Sequence, residues 1–467
     1  MPTTRREHDS LGIVQVPASA YYGAQTARAL ANFQISGLTL QRSMVTALVQ
    51  VKRAAAEANA ELKLLPRRHA RAIQRACDEI LRGRFQDQFR VDVFQAGAGT
   101  SFNMNVNEVI ANRANELLGA RRGTYRPMHP NDHVNMAQST NDVIPTSIRL
   151  ASLAQIQLLL AGMKTLEQSL LAKAHEFMGV VRSARTHLQD AVPIRLGQDF
   201  HAWALMVRDA RRHVEAASRE LHELNLGATA AGTGLNAHPR YRFLAIRELR
   251  QRTKLPLKPA HDLVQITQDL GDFAHVSGAL RNYALTLIKI ANDLRLLTSG
   301  PMTGFDEIEL PALQPGSSIM PGKVNPVMAE MLNMVSFHVV GNDLAIAMAV
   351  QAGQLELNVM MPVVAYNLLQ SLEILTHASQ TVATKCIRGI RANAARCRRY
   401  AELSPSLVTG LMPILGYEQA AKVAQRAVRE GKTIREVVVE QRLLSSEQAR
   451  RLLDPSHWTK PTRLSSS

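Results

Sequence analysis

The chain has 467 residues, 46% of them apolar and 20% charged, which excludes wholesale disorder and gives two or three structural units as the expectation. Aromatic residues make up only 4%, a composition that suits long packed helices better than a β-sandwich. The 55 Lys and Arg outnumber the 39 Asp and Glu for a net charge of +16, but no basic tail or zinc-finger spacing accompanies them, so they read as solvated helix faces that attract small anions, with a nucleic-acid partner not expected.

In chain order, the first residues are polar, without the apolar core of a secretory leader, and no stretch approaches the ~18 uninterrupted apolar residues of a membrane span, so a cytoplasmic location is expected. An irregular segment from Val16 to Gly23 leads into a helix over 43–62. The Gly-rich run Gln95 to Ser101 precedes a helix over 105–118. Long helices are expected over 147–178, 193–224, 261–298, 326–351 and 362–393. In the third, Leu263, Ile266, Leu270, Phe273, Val276, Leu280, Ala284, Leu287, Ala291 and Leu294 step by three or four residues and keep one stripe on one face. Helices of ~30 to 40 residues run ~45 to 60 Å. One chain does not easily cover such stripes, so subunit association is expected. The last part forms a small unit, with Gly416-Tyr417 opening a helix and Gly431-Lys432 breaking it. The expected division is 1–140, 141–395 and 396–467.

Four polar segments interrupt this pattern: Gly97 to Asn103, Gln138 to Asp142, Arg185 to Asp190, and Gly316 to Pro326. Each lies at an expected helix boundary, where Ser, Thr, Asn and Asp serve as ordinary caps and turn formers. The fourth resists that explanation best. Gly316 and Gly322 permit backbone movement while Pro321 and Pro326 limit it, which suits a loop that closes over substrate. Lys323 offers a positive charge, and Asn325 offers amide donors beside a helix start that favours anions. Ser317 can act as a base only where loop amides or a cation stabilise its alkoxide. Three cysteines, Cys77, Cys386 and Cys397, have no CxxC spacing, so neither a disulfide framework nor a thiolate metal site is expected.

Gly316 to Pro326 matches the GSSxMPxKxNP signature of the aspartase/fumarase superfamily, and the other three segments follow in that family's order, with Leu226 to Asn236 resembling a further family segment. The resemblance runs from about residue 9 to 461. It implies an all-α, three-domain fold whose long central helices form a bundle completed in a homotetramer, with active sites shared between subunits. It also implies an anti elimination from a dicarboxylate or amino-acid substrate that releases fumarate, without cofactor or metal. By motif position, the resemblance makes Ser317 the general base, with Lys323 and His187 as further catalytic residues. Thr186, Ser318 and Asn325 would bind substrate, as would Thr100, Ser101, Ser139, Thr140 and Asn141. His129, Asn131 and Asp132, in a His-Pro-Asn-Asp run, resemble a second, non-catalytic anion site of fumarases; a simple turn explains them equally well.

Gly97 to Ser101, Gln138 to Asn141, Leu310 to Gln314 and Ala352 to Asn358 resemble the aspartase branch, which converts L-aspartate to fumarate and ammonia. Asp9 to Gly12 and Gly23 to Thr26 look more like the fumarase branch, which hydrates fumarate, and Met302 and Phe102 depart from the usual pattern. A lyase for a related amine-substituted succinate is the other alternative. No Ala-Ser-Gly tripeptide is present, so the self-made electrophile of aromatic amino-acid lyases is not indicated.

Overall fold

The computed structural model describes residues 3–461. Two compact units divide the chain. Met1–Leu160, Arg212–Ala284 and Phe337–Thr376 form the first, and Ala161–Arg211, Leu285–Ser336 and His377–Ser467 the second. Helices build most of both, as the sequence reading expects. A hairpin, β1 (Thr4–Asp9) and β2 (Gly12–Pro17), opens the chain. Helices α1 (Ala24–Asn32), α2 (Arg42–Glu61), α3 (Arg67–Leu81), α4 (Thr100–Leu117) and α5 (Thr140–Glu176) follow. A second hairpin, β3 (Val181–Thr186) and β4 (Gln189–Arg195), precedes α6 (Leu196–Ser218), α7 (Tyr241–Thr253), α8 (Leu263–Gln268), α9 (Gly271–Leu297), α10 (Val327–Gln351) and α11 (Met361–Lys385). The chain closes with α12 (Ala394–Leu403), α13 (Met412–Leu415), α14 (Tyr417–Glu430), α15 (Ile434–Glu440) and α16 (Ser446–Leu452).

The boundaries depart from the sequence expectation for identifiable reasons. Helix α5 starts at Thr140, seven residues earlier than expected, and carries Pro145 inside. Proline cannot donate to the carbonyl four residues back. That carbonyl, on Asn141, accepts instead from Asn225 Nδ2 at 3.1 Å, so the helix continues without an orphaned group. The segment expected as one helix over 261–298 is two: Asp262 caps α8, and the Asp269 side chain accepts from Gly271 N at 2.8 Å and starts a new helix. The helix expected to reach 393 stops at Lys385, because Arg391–Ala392 pairs as a short strand with Ile308–Glu309. The helix expected from 193 gives its first residues to β4.

The stripe on α8 and α9 is buried: Ile266, Leu270, Phe273, Val276, Leu280, Ala284, Leu287, Ala291 and Leu294 are all inside. In the first unit α2 packs against α3 and α7, and α4 packs against α1 and α3. Helices α5 and α10 have the length and apolar composition of a membrane-crossing helix. α5 is nonetheless a core helix. It buries Thr146, Ser147, Arg149 and Ser152, and Arg149 Nε lies 2.7 Å from Asp272 with its guanidinium over the Phe273 ring. α10 differs. Met334, Phe337, Leu344 and Met348 are 64, 58, 65 and 57% exposed, and with Gly341 they repeat every three or four residues as an uncovered apolar seam.

Candidate active site

In the first unit two helix starts meet. Ala98 and Gly99 both have positive φ, which turns the chain sharply into α4 and leaves Thr100 exposed at its first position and Ser101 buried behind it. A Cβ on Gly99 would lie 3.3 Å from Ile144, so the start of α4 sits close against α5. Asn103 Nδ2 donates to Thr140 Oγ1 at 3.1 Å across the same junction. The starts of α4 and α5 therefore lie together, with Thr100 at one and Ser139, Thr140 and Asn141 at the other. Two side chains close the start of α5: Asp142 Oδ1 accepts from Ser139 N at 3.0 Å, and Ser139 Oγ accepts from Asn141 N at 3.2 Å. Asn141 Nδ2 donates to Ala230 O at 2.7 Å, which commits one of its two donor hydrogens to the protein.

In the second unit Thr186 and His187 stand at the tip of the β3–β4 hairpin. His187 and Leu188 both have positive φ, 56° and 58°, as a two-residue hairpin turn with the favoured twist requires. Neither is Gly or Asn, so the turn is strained. Both are exposed, as is Thr186. The strands behind are fixed by a buried carboxylate. Glu307 Oε2 lies 3.1 Å from Arg182 Nη1 and 2.9 Å from Arg185 Nη1, and the Arg185 guanidinium stacks over Phe305 and Tyr400. Thr186 and Arg185 also line a cavity of about 210 Å³ with Lys289, Asp293 and Trp203.

The loop over 316–325 is closed on itself. Gly316 N donates to Lys323 O, and Asn325 Nδ2 donates to Gly316 O, both at 2.7 Å. A Cβ on Gly316 would meet Lys323 O at 2.7 Å and Asn325 N at 2.9 Å, so only glycine allows this closure. Ser317 Oγ accepts from Ile319 N at 3.2 Å and from Met320 N at 3.0 Å. Two amides thus aim at the one oxygen that would carry negative charge as an alkoxide. Ser318 and Lys323 are exposed, and the Lys323 ammonium has no hydrogen bond or ion pair among the described residues. Asn325 and Pro326 line a cavity of about 570 Å³ with Asp306, Arg391 and Asn393.

The structure therefore groups Thr100, Ser101, Ser139, Thr140 and Asn141 in the first unit. Thr186 and His187 are together on one turn of the second, and Ser317, Ser318, Lys323 and Asn325 together on one loop of it. His129, Asn131 and Asp132 form a separate turn in the first unit. His129 Nδ1 accepts from Asn131 N and Asp132 N, each at 3.2 Å, so the imidazole holds the turn. The cavity beside it, about 410 Å³, is lined by Asp9 and Glu108 as well as His129 and Asn131. Met302 is exposed beside Pro301, and Phe102 is buried in α4. The three cysteines are buried, which pushes each thiol up to about 12. Among the described residues no group of three or more His, Cys, Asp or Glu is placed to hold a metal ion. Sequence reasoning missed the supports Glu307 and Asn225, and it named Arg185 in a polar segment without giving it a role. It quoted Asp142 in a segment without assigning it, although the Ser-x-x-Asp spacing is a capping signal.

Comparison with known proteins adds to this geometry. Residues 12–341 match the family model described as Lyase, and 407–460 match that described as Fumarase C C-terminus. The chain is 50% identical over 462 residues to an aspartate ammonia-lyase of Pseudomonas aeruginosa, covering 98% of both chains. It is 48% identical to an aspartate ammonia-lyase of Bacillus subtilis, covering 98% of this chain and 96% of that one. Among solved structures, a fumarate lyase:delta crystallin from Brucella melitensis superposes with a TM-score of 0.95 at 49% identity, covering 98% of this chain and 100% of that one. A class II fumarase from Schistosoma mansoni superposes at 0.94 with 37% identity, with the same coverage.

Proposed function

The chain belongs to the Lyase family that ends in a Fumarase C C-terminal module, and from that membership we propose that it is a carbon–nitrogen lyase converting L-aspartate to fumarate and ammonia by a reversible anti elimination. The observation that carries the substrate is the near-full-length likeness to several aspartate ammonia-lyases. Ser317 Oγ takes the C3 proton, and the loop amides of Ile319 and Met320 stabilise its alkoxide. The doubly negative species that results at the adjacent carboxylate is held by Lys323, Asn325 and the Thr186–His187 turn. The starts of α4 and α5 hold the other carboxylate, with Thr100, Ser101, Ser139, Thr140 and Asn141 accepting from the leaving ammonium.

Two features support assembly of this site in a homotetramer: the exposed Thr186–His187 tip and the uncovered seam of α10. The three expected divisions of the chain, a cytoplasmic location and cofactor-free chemistry belong to the same reading. The His129–Asp132 turn takes no part in the elimination. The test follows the ultraviolet absorbance of fumarate after L-aspartate or L-malate is added separately to the purified chain. Fumarate forms from L-aspartate; formation from L-malate alone would make the chain a fumarate hydratase, the reading that its likeness to a class II fumarase favours.

A further inference from the structure

We propose that Lys52 and Asp142 are a buried positioning pair that holds Ser139, Thr140 and Asn141 in register with the segment over 227–230 and so sets the lower pH limit of turnover. Both side chains are fully buried in the first unit. Asp142 joins two segments of chain: Oδ1 accepts from Ser139 N at 3.0 Å, and Oδ2 accepts from Gly227 N at 3.0 Å and Thr229 N at 3.1 Å. A carboxylate accepts all three amides in charge-assisted hydrogen bonds, which weaken when the carboxyl is protonated. Lys52 Nζ donates to Asn135 Oδ1 at 2.8 Å and to Gln138 Oε1 at 3.0 Å, which fixes the turn immediately before Ser139. Asn135 Oδ1 also accepts from Asn107, and Asn103 joins the same network to Thr140 Oγ1.

The backbone records what the clamp holds. Thr229 is β-branched yet has φ of 56°, a conformation such residues avoid unless their surroundings impose it. Its amide is one of the three on Asp142, and its buried Oγ1 has no partner among the described residues. Asn141 Nδ2 reaches the next residue's carbonyl, at Ala230.

Burial pushes the Asp142 carboxyl up to about 7, against the pull of its three amides and Lys52. Burial pulls the Lys52 ammonium down to about 7, against the opposing pull of the Asp142 carboxylate. The Cys77 thiol on α3 is itself pushed up to about 12 and stays neutral, and the Tyr241 phenol on α7, which faces Asp142, is pushed well above its usual range by burial. Each member of the pair is therefore the other's charged neighbour, and removal of Lys52 raises Asp142 further.

This inference rests on the lyase reading, and its test separates the two. Fumarate formation is measured from pH 5.5 to 9 (about one unit or more on either side of the pair's range) for the natural chain and Lys52→Met. The same proteins are compared by amide hydrogen exchange. In Lys52→Met, kcat falls on the order of 10²-fold while KM changes less, and the acidic limb of kcat moves up by about one pH unit or more. Exchange accelerates in peptides covering 138–142 and 226–230 and not in α14. A loss of kcat that is equal at every pH, or unchanged exchange in those two segments, overturns the proposal. Gln138→Met keeps the ammonium but removes one acceptor and shows a smaller shift in the same direction; it decides the matter if Lys52→Met does not fold. A natural chain that makes no fumarate from L-aspartate sinks the lyase reading, while the exchange comparison still decides the pair.

Discussion

The seam on α10 gives a prediction that can be worked through in numbers. Met334, Phe337, Leu344 and Met348 each keep more than half of their surface open within one chain. Full burial of such a side chain is worth ~1.5–3 kcal/mol, so each leaves ~1–2 kcal/mol unclaimed and the four together ~4–8 kcal/mol per helix. Leu344→Asp removes one share and places a carboxylate among apolar side chains, which costs about a further 2–3 kcal/mol before any rearrangement. A loss of about 4 kcal/mol lowers an association constant ~10³-fold. Because Leu344 is exposed in the single chain, the folded protomer itself should survive, with near-ultraviolet circular dichroism little changed, while melting falls as the stabilisation from association is lost. Sedimentation velocity should show smaller species at micromolar concentration, and fumarate formation from L-aspartate should fall with them, since the exposed Thr186–His187 turn loses its neighbours. A variant that sediments as the natural protein does, with unchanged kcat, would refute the assignment of this seam to an interface that the active site needs.

Three further outcomes test other links. Ser317→Ala should lower kcat by about 10²–10⁴-fold with a modest change in substrate binding, as expected for loss of a general base; kcat within a few fold of the natural value would remove Ser317 from that role. Gly316→Ala places a Cβ against Lys323 O and breaks the two hydrogen bonds that close the loop, for about 1–3 kcal/mol and a roughly 5- to 150-fold fall in kcat. Steady-state rates check it, and melting should hardly move because the loop is exposed. Asp92 works through pH. Burial opposes its carboxylate, yet donors from Ser36, Gly37 and Phe94 win and hold it down to about 2. Its folded value lies below the unfolded one, so the stability it adds is present above pH ~4 and is lost as pH falls toward ~2. Acid unfolding of Asp92→Asn should lack that increment in this window; an unchanged acid transition would contradict it.

Much of the fold could be read directly. Periodicity marked the stripe on α8 and α9, because a helix that buries one face must repeat apolar residues every three or four positions, and all but one of the ten residues are buried. Helix ends were harder, since they depend on partners distant in sequence. Nothing near Pro145 announces that Asn225, 80 residues on, supplies the hydrogen bond which lets α5 run through a proline. The break between α8 and α9 was legible in principle, in the Asp269-Leu270-Gly271 step, but the apolar stripe runs across it and masks it.

The candidate site divides in the same way. Chemistry carried by a contiguous motif was determined by sequence alone: Gly316 to Asn325 holds its glycines, hydroxyls, lysine and amide within one loop, where local sterics fix which residue can stand at each place. Tertiary structure alone decided how such motifs are supported. It showed that Glu307 anchors Arg185 behind the Thr186–His187 turn and that Lys52, on α2, lies buried against Gln138, next to Ser139. A buried charge is tolerated only where partners surround it, and those partners come from segments of chain whose proximity no local pattern encodes.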